Sequence, residues 1–218
     1  MVETNGRNFD LLTLGQVLLR LSPPDNERLS RGDTFVKQVG GAELNVAVGA
    51  ALLGLHTGVI SKLPAHDIGS FMKGKIRSFG VSDDFFMYDQ SPAARVGIYY
   101  YENGAYPRKP KVIYDRNHSS FFSLDIDEIP EEVYTASKCF HTTGITLALN
   151  EDIRETTIEM IKRFKAAGTL VSFDVNFRGN LWTGDQAREC ILRILPYVDI
   201  FFCSEDTARL TFLKTGTA

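Results

Sequence analysis

The sequence predicts an α/β fold, with a mostly parallel sheet, helices on both faces and a small additional sheet. Three observations lead to this prediction. From about residue 138 onward, short apolar runs alternate with segments of helical length, as in successive βαβ units. Near the beginning, an apolar run ends in glycine, and a glycine pair then opens a segment of small residues. The segments 17–39 and 94–116 have strand patterns with no helix between the strands, which indicates a separate sheet.

The elements follow in order from apolar runs and the turn residues that bound them. The first half predicts strands at 9–15, 17–21, 34–39 and 57–61, helices at 40–54 and 68–79, and a long-looped hairpin with strands at 94–101 and 111–115. Gly54 and Gly80 end the two helices. The second half predicts strands at 138–142, 170–174 and 200–203, with helices at 150–167, at 183–195 and from Glu205 onward.

Composition narrows the classes of function. The chain has 218 residues, 44% hydrophobic and 23% charged, with a net charge of −3. This charge gives no reason to expect nucleic acid or an anionic membrane as partner. The longest apolar stretch, 46–55, is too short to span a bilayer, and the first residues lack the pattern of a secretory signal. Three cysteines without close spacing and four unclustered histidines favour a reducing cytoplasm and no metal site built from these residues.

Ligands in such folds sit beyond the carboxyl ends of the strands, which directs attention to the residues just after each strand. Gly40 and Gly41 open a helix, where bare backbone N–H groups suit an oxygen-rich ligand. Asn45 lies one turn further on the same side. The alternative is a glycine-rich turn with a packing asparagine. The pattern matches neither a Walker A loop nor Gly-x-Gly-x-x-Gly.

A second group follows the strand at 170–174. Asp174, Asn176 and Arg178 are spaced by two and would share a face if the chain stayed extended. An arginine here suits a carboxylate or phosphate. A helix-capping aspartate and an ordinary surface arginine would give the same pattern.

A third group lies on the predicted hairpin, where Tyr99, Tyr114 and Arg116 could close over a sugar acid. An exposed pair of tyrosine-rich strands explains this pattern equally well. Cys139 and His141, which alternate along one strand, are interpreted as structural residues.

An ordered set of segments resembles the ribokinase/PfkB carbohydrate kinases, and within them the 2-keto-3-deoxygluconate kinases. The resemblance covers about residues 9–213. Its segments are Gly40-Gly-Ala-Glu-Leu-Asn45, Ile60-Ser-Lys-Leu-Pro64, Gly97-Ile-Tyr99, Lys111-Val-Ile-Tyr114-Asp-Arg116, Phe140-His-Thr-Thr-Gly144-Ile145 and Asp174-Val-Asn176-Phe-Arg178.

The resemblance implies a ribokinase-like fold, one incomplete domain over 1–218, and a β-sheet lid inserted at about 17–39 and 94–116. It also implies ATP and Mg²⁺ as cofactors of the full-length enzyme and a homodimer formed through the lid. Asn176 and Ser204 match the phosphate or nucleotide side, and Arg178 matches a residue that supports catalysis. The implied substrate-binding residues are Gly41, Asn45, Tyr99, Tyr114, Arg116, Ile145 and Arg178.

Two arginines among these positions favour an acidic sugar, because a carboxylate binds guanidinium through paired, charge-assisted hydrogen bonds. The expected function is phosphorylation of 2-keto-3-deoxygluconate or a related sugar acid. A non-catalytic sugar-acid-binding or dimerisation module and a kinase for a neutral sugar such as fructose remain alternatives. A dinucleotide-dependent oxidoreductase is weakly supported, because its glycine fingerprint is missing.

The sequence departs from the family pattern in two places. The family's Gly-Ala-Gly-Asp motif, which implies an anion hole and the catalytic base, does not occur in these 218 residues. The phosphate-side Asn-x-x-Glu motif is replaced by Ser204-Glu-Asp-Thr207, which puts the positioning of Mg²⁺ in doubt. We therefore expect a chain cut before its catalytic end, with no catalytic base of its own and inactive by itself.

Overall fold

The computed structural model describes residues 6–213. The described residues form eleven strands: β1 (Phe9–Leu14), β2 (Leu18–Ser22), β3 (Val36–Gly40), β4 (Thr57–Pro64), β5 (Val81–Ser82), β6 (Phe86–Asp89), β7 (Gly97–Glu102), β8 (Lys111–Asp115), β9 (Ser137–Thr143), β10 (Leu170–Asp174) and β11 (Ile200–Phe202). They also form seven α-helices: α1 (Ala42–Leu52), α2 (Asp67–Arg77), α3 (Val133–Ala136), α4 (Gly144–Leu147), α5 (Glu151–Ala166), α6 (Gly184–Ile194) and α7 (Glu205–Phe212). The long predicted elements all occur, within a few residues of the expected bounds.

The larger sheet is parallel throughout, in the order β11-β10-β9-β1-β4-β5, with β6 also paired to β4. The chain moves outward from β1 to β4 and β5, then returns to place β9 on the other side of β1. This reversal opens a crevice beyond the carboxyl ends of β1 and β9, where ligands bind in sheets of this type.

Two apolar cores show that helices cover both faces of this sheet. Ile60 belongs to a core that includes Phe140, Phe164 and Phe173, whereas its neighbour Val59 belongs to a second core with residues of α1 and α2. Successive strand residues point to opposite faces, so the two cores lie on opposite sides of the sheet. The edge strand β11 leaves Phe202 54% exposed.

The smaller sheet, called the lid sheet below, has the order β3-β2-β7-β8. Its β2–β3 and β7–β8 pairs are antiparallel, and β2 pairs with β7 in parallel. The predicted α/β architecture with a separate small sheet is confirmed. No helix in the range 6–213 combines the length and apolar character that a membrane span requires.

Candidate functional site

A cavity of about 430 Å³ lies where the crevice of the large sheet meets the lid sheet. Its walls come from the turn after β1, the start of α1, one face of the lid sheet, the start of α4 and the segment after β10. The residues lining it are Gln16, Leu18, Arg20, Gly41, Ala42, Glu43, Asn45, Tyr99, Tyr101, Val112, Tyr114, Arg116, Ile145, Arg178, Asn180 and Leu181. All seven residues predicted to bind substrate are in this set; their role in binding stays a prediction.

The start of α1 presents unpaired backbone donors to the cavity. Gly41 is the N-cap residue, has φ of +152° and provides no side-chain acceptor for the first N–H groups. A Cβ atom at Gly41 would lie 2.8 Å from the Gln16 carbonyl oxygen, so only glycine fits here without strain. Asn45, one turn further, is exposed at the cavity wall. This helix start therefore suits the hydroxyl and carbonyl oxygens of a sugar.

Aromatic side chains of the lid sheet form the facing wall. Tyr99 and Tyr114 are direct partners across β7 and β8, and their ring centroids are 6.0 Å apart. Burial raises the pKa of Tyr99, which keeps its hydroxyl neutral and able to donate at pH 7. A Cβ at Gly40 would lie 2.4 Å from the Tyr99 hydroxyl oxygen, so Gly40 allows this hydroxyl to approach the start of α1.

Three arginines from different elements line the cavity, and one of them, Arg20, lies on β2. Arg116 follows β8 and is half-buried, while Arg178 follows β10 and is exposed. Burial lowers the pKa of Arg116, nearby Arg178 lowers it further, and Glu43 opposes both effects. Arginine still stays charged at neutral pH. The cavity therefore concentrates positive charge at a place where a bound anion would relieve the repulsion.

The sequence assigned no role to Gln16, which directly follows the first predicted strand, and gave no signal for Glu43; both line the cavity. Glu43 is 2% exposed, and its Oε1 accepts hydrogen bonds from the hydroxyls of Thr143 (2.6 Å) and Thr146 (2.8 Å). It thereby joins α1 to the end of β9 and the start of α4. Nothing in the sequence marks it, because an acid in the first turn of a helix is usually solvated and favoured by the helix dipole.

Burial raises the pKa of Glu43, and the two threonine hydroxyls only partly oppose this. Because the folded-state pKa is raised, the contribution of Glu43 to stability is greatest below its unfolded pKa and is lost as the pH rises through the folded value. We expect Glu43→Gln to keep the hydroxyl contacts and to remove this pH dependence. In urea unfolding, the free energy of unfolding of Glu43→Gln minus that of wild type should therefore become more positive from pH 4 to pH 8.

Glu43→Ala is the matched comparison, because it leaves two buried hydroxyls without an acceptor and opens a cavity. It should lower the free energy of unfolding by about 3 kcal/mol at pH 4 and by less at pH 8, where the contribution of Glu43 is lost. A Glu43→Gln protein whose stability follows the wild-type pH profile would contradict the assignment of this titration to Glu43.

The residues predicted for the phosphate side lie outside the cavity lining. Asp174, Asn176 and Arg178 would share a face only if the chain stayed extended. It does not, because Asn176 adopts φ of +37°. Its N–H donates to Asp174 Oδ1 over 3.0 Å in a local turn. Ser204 caps α7 by accepting the Thr207 N–H. Both residues follow the carboxyl ends of neighbouring strands, Asn176 after β10 and Ser204 after β11.

The described residues offer no ready metal site. In the range 6–213, no group of three or more His, Cys, Asp or Glu side chains lies close enough to hold a metal ion. Glu205 and Asp206, next to Ser204, are exposed and pair with Arg209 instead.

Comparisons with known proteins agree with this architecture. Residues 8–217 match the model of the pfkB family carbohydrate kinases. The chain is 36% identical over 209 residues to 2-dehydro-3-deoxygalactonokinase of Haloferax volcanii, which covers 96% of this chain and 65% of that protein.

Two solved structures are also similar. The 2-dehydro-3-deoxygluconokinase of Thermotoga maritima has a TM-score of 0.90 and 33% identity, covering 95% of this chain and 63% of the other. An uncharacterized sugar kinase of Pyrococcus horikoshii in complex with ATP has a TM-score of 0.78 and 25% identity, covering 93% and 66%. The chain thus spans slightly less than two thirds of the length of each of these relatives. The family model extends over nearly the whole sequence, and the chain belongs to the pfkB family of carbohydrate kinases.

Proposed function

We propose that this chain forms the sugar-binding part of an ATP-dependent kinase for 2-keto-3-deoxygluconate or a closely related sugar acid. The observation that supports this most is that Arg116 and Arg178 line one cavity together with a third arginine, Arg20, and three tyrosines. The relatives from Haloferax volcanii and Thermotoga maritima are named for substrates of this class, 2-dehydro-3-deoxy sugar acids.

Each wall suits a different part of such a substrate. The backbone N–H groups after Gly41 and the amide of Asn45 would bind sugar hydroxyls. The guanidinium groups of Arg116 and Arg178 would bind the carboxylate and the oxygens next to it. Tyr99 and Tyr114 would cover the carbon chain, with the Tyr99 hydroxyl as an additional donor. Ile145, in the first turn of α4, would contribute a backbone contact.

Phosphoryl transfer needs a base within hydrogen-bonding reach of the attacking hydroxyl. Among the described residues that line the cavity, Glu43 is the one acid, and its Oε1 is already bound by two threonines. We infer that this chain by itself binds sugar acid without phosphorylating it. ATP would be the phosphate donor, with Asn176 and Ser204 on its side of the site and Arg178 near the transferred group. Mg²⁺ would accompany ATP in the full-length enzyme.

Calorimetric titration of the 218-residue chain tests this proposal. We expect 2-keto-3-deoxygluconate or its galactonate epimer to bind at least about tenfold more tightly than fructose or ribose, because the neutral sugars lose a charge-assisted pair. Equal or tighter binding of fructose would favour a kinase for neutral sugars instead. Adding ATP and Mg²⁺ should produce no ADP above the background. ADP release that depends on sugar acid and disappears in Glu43→Gln would instead make Glu43 the base.

We further propose a single ribokinase-like domain in the cytoplasm that dimerises through the lid sheet. Exposed apolar side chains on this sheet support dimerisation: Val36 is 47% exposed and Ile113 is 44% exposed. Sedimentation equilibrium should give twice the chain mass, and a monomer at micromolar concentration would contradict the dimer.

A further inference from the structure

Gln16 lies at the junction between the large sheet and the lid sheet. It follows the end of β1 and precedes β2, the first lid strand, and it is 3% exposed. Its carbonyl oxygen lies against Gly41, at the start of α1. Its side chain points to the opposite wall of the cavity, to the segment that leaves the last lid strand. A buried amide in this position must have all its hydrogen-bonding groups matched.

The contacts of Gln16 converge on Arg116. Gln16 Nε2 donates to the Arg116 carbonyl oxygen over 3.1 Å and to Ser119 Oγ over 2.7 Å. Gln16 Oε1 accepts from Arg116 Nε over 2.8 Å. The backbone carbonyl oxygen of Arg116 can only accept a hydrogen bond, and its Nε–H can only donate one. The NH₂ group of the Gln16 amide therefore matches the Arg116 backbone, and the amide oxygen matches the Arg116 side chain.

This arrangement determines which part of the guanidinium is available to a ligand. Among the described residues, the Arg116 side chain makes a single hydrogen bond, the one to Gln16. The terminal nitrogens Nη1 and Nη2 remain available to the cavity, and the Tyr114 ring lies 5.6 Å from the guanidinium carbon. A guanidinium held at Nε presents its two terminal nitrogens side by side, which matches the two oxygens of a carboxylate.

We propose that Gln16 is a positioning residue that fixes the Arg116 guanidinium, so that Nη1 and Nη2 face the carboxylate of a bound sugar acid. The fixed orientation rests on the contacts above, while the identity of the ligand rests on the proposed function. Because Gln16 also touches Gly41, the same residue sets the distance between the hydroxyl-binding helix start and the carboxylate-binding arginine.

The first experiment needs no ligand. In ¹⁵N-labelled protein, the Arg116 Nε–H signal, assigned by its loss in Arg116→Lys, should be protected from exchange with water. We expect this protection to disappear in Gln16→Met, which has a similar volume but no acceptor. It should persist in Gln16→Glu, whose carboxylate still accepts from Nε. Unchanged protection in Gln16→Met would overturn the proposal.

The second experiment is a double-mutant cycle on binding of 2-keto-3-deoxygluconate. Gln16→Met should weaken binding about tenfold in the wild-type background and less than about twofold in Arg116→Met, because its effect acts through Arg116. Gln90→Met, at an exposed glutamine away from the cavity, is the control and should change nothing.

The two arms separate the possible failures. An equal effect of Gln16→Met in both backgrounds would indicate a general structural role and overturn the proposal. A wild-type chain that binds no sugar acid would defeat the proposed function and the carboxylate as ligand. The exchange measurement would then decide alone whether Gln16 fixes Arg116.

Discussion

Replacing Arg116 with methionine should weaken the binding of 2-keto-3-deoxygluconate about 100-fold. Truncating one partner of a hydrogen-bonded charge pair in such a site costs roughly 2 kcal/mol or more. Methionine keeps much of the volume and removes only the guanidinium. The loss should be small for fructose, which has no carboxylate. Calorimetric titration of both ligands against wild type and variant measures the difference.

Two further variants define what Arg116 contributes. Arg116→Lys keeps the charge without the paired terminal nitrogens, so it should recover only part of the affinity. Arg77→Met is the matched control, because Arg77 is 64% exposed on α2 and does not line the cavity. If Arg116→Met weakened the binding of fructose and of the sugar acid by the same factor, the charge of Arg116 would not be what selects the sugar acid.

The second large effect is on stability. Gly144→Ala should lower the free energy of unfolding by about 3 kcal/mol, the upper end of the usual cost of overpacking. A Cβ at this position would lie 2.2 Å from the Val175 carbonyl oxygen and 3.4 Å from Trp182 Cζ2. The backbone at the start of α4 would have to move, and Ile145 and Thr146 would move with it. Urea unfolding at neutral pH measures the change.

Gly49→Ala is the matched control for that substitution. Gly49 lies inside α1, and a Cβ there would meet nothing within 4 Å. Alanine should therefore stabilise the protein by about 0.5–1 kcal/mol through helix propensity. A Gly144→Ala protein as stable as wild type would mean that α4 and the end of β10 do not approach each other this closely.

Local sequence patterns were sufficient for the secondary structure. The glycine pair at Gly40 and Gly41 marked the start of α1, and apolar runs located β8 and β10 with the bounds later observed. Short elements were missed, including α4 and the strands β5 and β6. Their stability depends on tertiary contacts, because two to four residues are too few for a periodic pattern.

The candidate site was predicted in its parts and not in its connections. Gly41, Tyr99, Arg116 and Arg178 belong to four separate segments, and their proximity came from a resemblance to a family. The supporting contacts were not predicted at all. The Arg116 hydrogen bond to Gln16 and the Thr143 hydrogen bond to Glu43 each join residues 100 positions apart. Interactions between such distant positions leave no local periodicity.

The sequence by itself determined the α/β class, the separate small sheet and the residue types that could bind an anionic sugar, because periodicity and turn residues act over a few neighbouring positions. Only the tertiary structure decided which polar residues share the cavity. Because the strand order reverses at β1, the turn containing Gln16 and the start of α4 at Ile145 line the same cavity. Arg116, which follows the last lid strand, is hydrogen-bonded to Gln16 in that turn. The tertiary structure also buries Glu43, a residue that the sequence alone would place in solvent.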